Sequence, residues 1–327
     1  MKPDLRRRRS PPCGGHSFRG EGGPRGGRAG CESEARFAGV SALLLIAALL
    51  EGCASLPRDV RRAPSSVLAD TSDTQIGRSV RSAEALHPGE SGFYVLNIPE
   101  EAFAARVALA RRAERSLDVQ YYIWHGDTTG TYMLQEIWNA AERGVRVRML
   151  LDDNGIGGLD RTLAALDSHA SIEVRLFNPY PNRGVKVFGY LTDFGRLNRR
   201  MHNKSFTADG QATIVGGRNI GDEYFGAGED MVFTDLDAVA AGPIAVEVGA
   251  EFDLYWNSES AYPLESIVPP AGPDAVKEMT ARFAAVEASP EAARYVAAVK
   301  ATKLVDQLIA HDVQLEWARV ELVYDPP

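Results

Sequence analysis

The chain of 327 residues is 45 % hydrophobic and 24 % charged and carries a net charge of −8, ordinary globular material long enough to bury the core of one large domain or two small ones. From Cys53 onward the balance is 27 basic against 39 acidic residues, the wrong sign for a protein that draws its affinity from the phosphates of a long nucleic acid. All three cysteines, Cys13, Cys31 and Cys53, lie at or before that point, which excludes thiol redox chemistry and disulfides from the rest of the chain.

Residues 1–35 are arginine, glycine and proline with almost nothing apolar to pack, and read as disordered or as a mis-assigned translation start. Residues 36–53 have the layout of a signal peptide: Arg36, an apolar run from Phe37 to Leu50, then Glu51-Gly52-Cys53. The run is short of the roughly twenty residues that span a bilayer. Leu50, Gly52 and Cys53 resemble a lipobox, with Glu51 out of keeping, so the expectation is lipidation of Cys53 and a bacterial cell-envelope lipoprotein facing the periplasm. An uncleaved anchor and soluble secretion are the alternatives. The arginines Arg6 to Arg9 lie too far from the apolar run to argue for twin-arginine export.

Residues 54–91, rich in serine, arginine, alanine and proline, are expected to form a tether. Apolar spacing then predicts a helix over 100–114, a strand over 116–124, a helix over 131–143 stopped by Gly144, a buried strand over 145–151, and a repeat of the unit over 160–168 and 172–177. A long loop, 178–200, leads to a strand over 204–208, a second short strand over 211–215 and a helical stretch over 219–225. Strand and helix follow over 232–249, and an aromatic-rich helix end over 252–258. After a break near Pro263 to Pro273, two helices are expected over 274–286 and 290–307. Helices alternating with apolar strands imply an α/β architecture with helices on the faces of a sheet.

From Met201 to Phe225 the chain reads MHNKSFTADGQATIVGGRNIGDEYF. His202 and Lys204 are two apart, so on an extended segment both side chains leave one face, and Asp209 falls in the turn after the strand. Gly216 and Gly217 let the backbone bend before Asn219. An imidazole beside an ammonium and a carboxamide suits phosphodiester displacement, which needs a neutral nitrogen nucleophile and donors for charge on the phosphoryl oxygens. His202 would attack phosphorus or protonate the departing alcohol, and Lys204 and Asn219 would donate. Arg218 reads equally as a phosphate donor or a surface ion pair.

The pattern resembles the HxKxxxxD and GGxN signature of the phospholipase D superfamily, matched by His202, Lys204, Asp209, Gly216, Gly217 and Asn219. The strings SLDVQYYIWHGDTTG, AAERGVRVRMLLDD, VRLFNPY and FDLYWNS are similar to its cardiolipin synthase branch, C-type, and the likeness runs from about Gly92 to the end. It implies a sandwich with a mixed β-sheet flanked by helices, the first half of a fold normally repeated twice, with residues 92–265 as the catalytic half-domain and 266–327 as a helical connection and the start of a second half. It also implies Asp230, eleven residues after Asn219, as the acid that orients the catalytic imidazole, with Glu229 as its neighbour, and makes Asp209 a brace within the site. Gly216, Gly217 and Arg218 would line the substrate phosphate.

The implied reaction passes a phosphatidyl group through a phosphohistidine to a second lipid alcohol, on membrane phospholipids such as phosphatidylglycerol, phosphatidylethanolamine or cardiolipin. Family enzymes carry two motifs and this chain has one, so a missing second half, a phospholipase D that uses water in place of the second lipid, a homodimeric single-motif phosphodiesterase or nuclease, and an inactive truncated remnant stand beside it. No cofactor is expected, and no zinc, disulfide-exchange or P-loop motif is present in the sequence. The pair Asp152-Asp153 reads as general acid and base or a metal site, or more simply as a turn cap at a strand end. His125 reads as a hydrogen-bonded strand-end histidine ahead of a pocket-lining one, and Tyr121, Tyr122, Trp124, Tyr255 and Trp256 as core ahead of lipid-binding.

Overall fold

The computed structural model describes residues 55–183, 194–227, 233–310 and 313–327; the signal sequence with Cys53, and Glu229 with Asp230, lie outside them. In chain order the elements are α1 (Gln75–Glu84), β1 (Ser91–Leu96), α2 (Pro99–Arg112), β2 (Ser116–Ile123), α3 (Thr128–Glu142), β3 (Arg146–Gly155), α4 (Asp160–Asp167), β4 (Ile172–Phe177) and α5 (Phe194–Leu197). There follow β5 (Ser205–Ala208), β6 (Ala212–Gly216), α6 (Asp222–Phe225), β7 (Asp237–Ala241), α7 (Pro243–Trp256), β8 (Ala261–Pro263), a 3₁₀ turn (Leu264–Ser266), α8 (Ala275–Glu287), α9 (Pro290–Lys300), α10 (Lys303–Ala310) and β9 (Glu316–Ala318).

The nine strands form one mixed sheet in the order β8-β4-β3-β2-β5-β6-β7-β1-β9. β2, β3 and β4 are parallel, and every other pairing is antiparallel. The direction reverses between β2 and β5, where Leu117 faces Ala208 and Gln120 faces Ser205. The C-terminal ends of β2, β3 and β4 therefore share one edge with the start of β5 and the end of β6. In α/β sheets the crevice beyond such a switch point is where ligands bind.

Alternation along β3 sets the two layers, because successive side chains of a strand point to opposite faces. Met149 and Leu151 join the larger core with α2, α3, α4 and α8. Leu150 joins a smaller one with Phe177 and with Phe252, Tyr255 and Trp256 of α7. Helix ends follow local chemistry: the Asp127 carboxylate accepts the Gly130 N–H at 3.0 Å to start α3, and Ser289 caps α9 ahead of Pro290 at its first position. Gly144, at φ 89°, closes α3 in a conformation that costs a side-chain-bearing residue about 1–2 kcal/mol.

The expected α/β sandwich with a mixed sheet is present, and four differences are physical. The segment expected as a tether is packed: the Arg62 side chain donates to Ala261 O at 2.9 Å, Val67 N to Asp253 Oδ2 at 2.9 Å, and α1 lies within it. The Arg62 and Val67 anchors are single polar contacts that leave no periodicity to read, while α1 adds Ile76 and Val80 to the core from a stretch rich in arginine and serine. β1, β8 and β9 have no counterpart among the expected strands, two of them being only three residues long. The expected helix over 290–307 is two, broken at Ala301-Thr302. Residues 266–327, expected as a connection, contribute β9 to this same sheet through the pairing Gly92 with Trp317.

Candidate active site

Antiparallel pairing of β5 and β6, with Ser205 opposite Val215, brings the segment before β5 beside the segment after β6. His202, Asn203 and Lys204 thus meet Gly216, Gly217 and Asn219 at one end of the sheet. His202, Asn203, Lys204, Val215, Gly216 and Glu251 line a cleft of about 310 Å³ whose other wall includes Leu322 to Asp325. Tyr255 Oη donates to Asp325 O at 2.8 Å and holds that wall.

The His202 ring is exposed and tilted against Tyr122, with centroids 4.3 Å apart. Its Nδ1 lies 3.2 Å from Arg200 O. A carbonyl only accepts, so the contact selects the Nδ1–H tautomer and leaves the lone pair on Nε2. The carbonyl is itself placed by Asp152, which accepts from Met201 N at 2.9 Å and from Arg200 Nη1 at 3.0 Å. Burial pushes the Asp152 carboxyl up, and Arg200 opposes that. Asp153 accepts from Tyr180 N at 2.7 Å and pairs with Arg183. The two carboxylates are thus committed to separate partners and organise the loop that delivers His202.

Lys204 Nζ donates to His202 O at 2.6 Å and lies 5.8 Å from the Tyr122 ring centroid. Burial lowers its pKa below the ordinary lysine value, while the negative charges of Asp235 and Asp237 raise it. Asn219 is buried, its Oδ1 accepting from Ile123 N at 3.0 Å. That acceptor bond fixes the carboxamide at the end of β2.

The glycine pair answers to close approach. A Cβ on Gly216 would stand 2.1 Å from Asp237 Oδ1 and 2.5 Å from Leu236 O, and one on Gly217 would stand 2.4 Å from Asp235 Oδ1. Asp237 is buried and paired with Arg106 at 2.9 Å. Arg218 is neither a surface ion pair nor open to a phosphate: it is 1 % exposed, donates to Leu96 O at 2.8 Å and Asn97 O at 3.1 Å, and faces Asp237 at 3.5 Å. Its charge ties β1 to β6 and β7.

Asp209 stands at the other end of β5 from His202 and lines no part of the cleft. Its carboxylate accepts from Arg115 N at 2.7 Å, Ser116 N at 3.0 Å and Glu114 N at 3.1 Å, and its backbone sits at φ 53° beside Gly210 at φ 62°. Two positive φ values closed by Gln211 N to Ala208 O at 3.0 Å are the pattern of a tight hairpin turn. Asp209 is therefore a brace outside the site, and not a catalytic group.

His125 Nδ1 meets Glu223 at 3.0 Å, and with Asp127 the three place potential metal-ligand atoms within 4.8 Å of one another. Asp127 is occupied in receiving Gly130 N and Asp222 N. Tyr121, Trp124, Tyr255 and Trp256 are core, whereas Tyr122 is a site residue. Sequence reasoning also missed Asp235, Asn203 and Glu251. Only the position of Tyr122 at the end of an apolar strand hinted at its place.

The fold and this motif geometry define a member of the phospholipase D superfamily, and the chain belongs to it. Residues 107–256 match the family model described as cardiolipin synthase, PLD-like domain. Within the superfamily the chain is cardiolipin synthase C-like: it is 48 % identical over 245 residues to cardiolipin synthase C of Escherichia coli strain K12, covering 74 % of this chain and 51 % of that one. It is also 38 % identical over 215 residues to an uncharacterized protein of Helicobacter pylori, covering 65 % of this chain and 43 % of the other. Among solved structures, NucT from Helicobacter pylori is similar at a TM-score of 0.39 and 15 % identity, over 53 % of this chain and 98 % of that one. The chain spans about half the length of the curated relatives it matches.

Proposed function

We propose that the chain carries a phosphatidyl-transferring half-site of the cardiolipin synthase C type, acting on membrane phospholipids. The observation that carries this reading is the convergence of His202, Lys204 and Gly216 on one cleft. His202 Nε2 attacks phosphorus, the P–O bond to the departing alcohol breaks, and a phosphohistidine holds the phosphatidyl group. Lys204 offsets the charge that builds on the phosphoryl oxygens, and Asn219 keeps the end of β2 in place beside them. An alcohol of a second lipid, phosphatidylglycerol for one, then takes the group, and water in its place gives phosphatidic acid.

Protonating the departing alcohol needs a second histidine, supplied by another half or another copy of the chain, so this chain alone is expected to turn over slowly. A short-chain phosphatidyl ester of p-nitrophenol, whose leaving group needs little protonation, isolates the first step. Acid-labile, base-stable phosphate on the wild-type chain and none on His202→Gln is the expected result. No trapped adduct at any protein concentration, in a folded protein, refutes the reading. A membrane anchor through Cys53 in the bacterial envelope is part of the same proposal, and the mass of the mature N-terminus tests it.

A further inference from the structure

Glu251, on α7, is a buried carboxyl that lines the cleft of His202 and Lys204. Both of its hydrogen bonds fall on one oxygen: Oε1 accepts from Asn203 Nδ2 at 2.6 Å and from Gln120 Nε2 at 3.4 Å. Oε2 takes no hydrogen bond among the described residues. Asn203 is the residue between His202 and Lys204, so the carboxyl touches the segment that carries both.

Among the described residues no cation pairs with it. The groups facing it are Gln120 from β2, His202, Asn203 and Lys204 from the approach to β5, Tyr324 and Asp325 from the C-terminal wall, and Tyr255 from its own helix. Burial raises its pKa to about 7, against the two amide bonds. A glutamine would make the same two contacts without desolvating a titrating group, so packing alone does not call for a carboxyl here.

We infer that the cleft takes up a phosphoryl oxyanion together with a proton, and that Glu251 holds that proton. The inference rests on the phosphoryl-site reading. Protonated, Glu251 keeps Oε1 as acceptor for the two amides and turns an Oε2–H donor to the cleft; ionised, it opposes the incoming anion with like charge. An arriving oxyanion therefore favours the neutral carboxyl and draws a proton from solvent. By linkage, affinity falls as pH rises through the range in which the free protein has lost that proton.

Tungstate is the probe, titrated calorimetrically into the full chain and into Glu251→Gln in two buffers of different ionisation enthalpy. If the bound anion raises the carboxyl by about one pK unit, the wild type takes up about half a proton more than the variant near pH 7.5. Its affinity falls up to about tenfold further between pH 6 and 9. Equal proton counts and parallel pH slopes, with tungstate still bound, overturn the inference and leave the phosphoryl site standing. A folded wild type that binds no tungstate overturns both. Carboxyl ¹³C spectra of the wild type read the group without a substitution: one glutamate resonance titrating at about 7 should move to higher pH with tungstate, and a resonance that stays put counts against it.

Discussion

In Asp209→Ala the backbone N–H groups of Glu114, Arg115 and Ser116 lose their shared acceptor. Ser116 is fully buried, so its orphaned N–H costs about 1–3 kcal/mol, while the other two amides are part-buried and recover water at about 0.5–1 kcal/mol each. Alanine at φ 53° adds about 1 kcal/mol. The sum is about 3–6 kcal/mol, which at this size lowers Tm by roughly 10 °C. An asparagine side chain would keep an oxygen where Arg115 and Ser116 bond and tolerates positive φ, so Asp209→Asn should cost about 1 kcal/mol or less. Urea unfolding followed by circular dichroism gives the stabilities, and tungstate binding well below the melt reports the site. An Asp209→Ala protein that melts like the parent, or one that keeps its stability and loses tungstate, refutes the assignment of Asp209 as a brace outside the site.

Gly216→Ala forces a Cβ against Leu236 O and the Asp237 backbone, and should cost about 2–3 kcal/mol in urea unfolding by prising β6 from β7. Gly217→Ala meets the Asp235 carboxylate, a side chain that can turn away. It should unfold within about 1 kcal/mol of the parent while changing tungstate affinity several-fold, through the charge that Asp235 presents to Lys204. The raised pKa of Glu251 also has a stability sign. A folded pKa of about 7 above an unfolded value of about 4.3 stabilises the protein fully below the lower value, and that contribution is lost as pH rises through 7. Glu251→Gln should therefore gain on the wild type by about 2–3 kcal/mol between pH 5 and pH 8 in parallel urea titrations, and a flat difference would contradict the assignment.

The motif spacing made His202, Lys204 and the glycine pair legible because β5 and β6 are neighbours in sequence as well as in the sheet. The long elements α2, α3 and β3 were legible from their apolar patterning for the same reason of locality. What escaped was long-range. Glu251 reaches Asn203 from a helix 48 positions on, and Arg218 finds Leu96 O across 122 positions; nothing in a local window distinguishes such a buried arginine from a surface one. Asp209 carries the same letter whether it touches substrate or three backbone amides. Short edge strands such as β8 hold too few residues for alternation to register.

One pairing bears on how the chain reaches this state. β1 is held between β7 and β9, with Gly92 opposite both Ala241 and Trp317. At about 5–20 residues synthesised per second, its first partner emerges roughly 7 to 30 s after it does. The β5–β6 hairpin closes on a microsecond scale by comparison. Nascent chains therefore carry an assembled β5–β6 hairpin well before one flank of the sheet is complete, and in that interval the lone β1 segment is the stretch most in need of shielding from other chains.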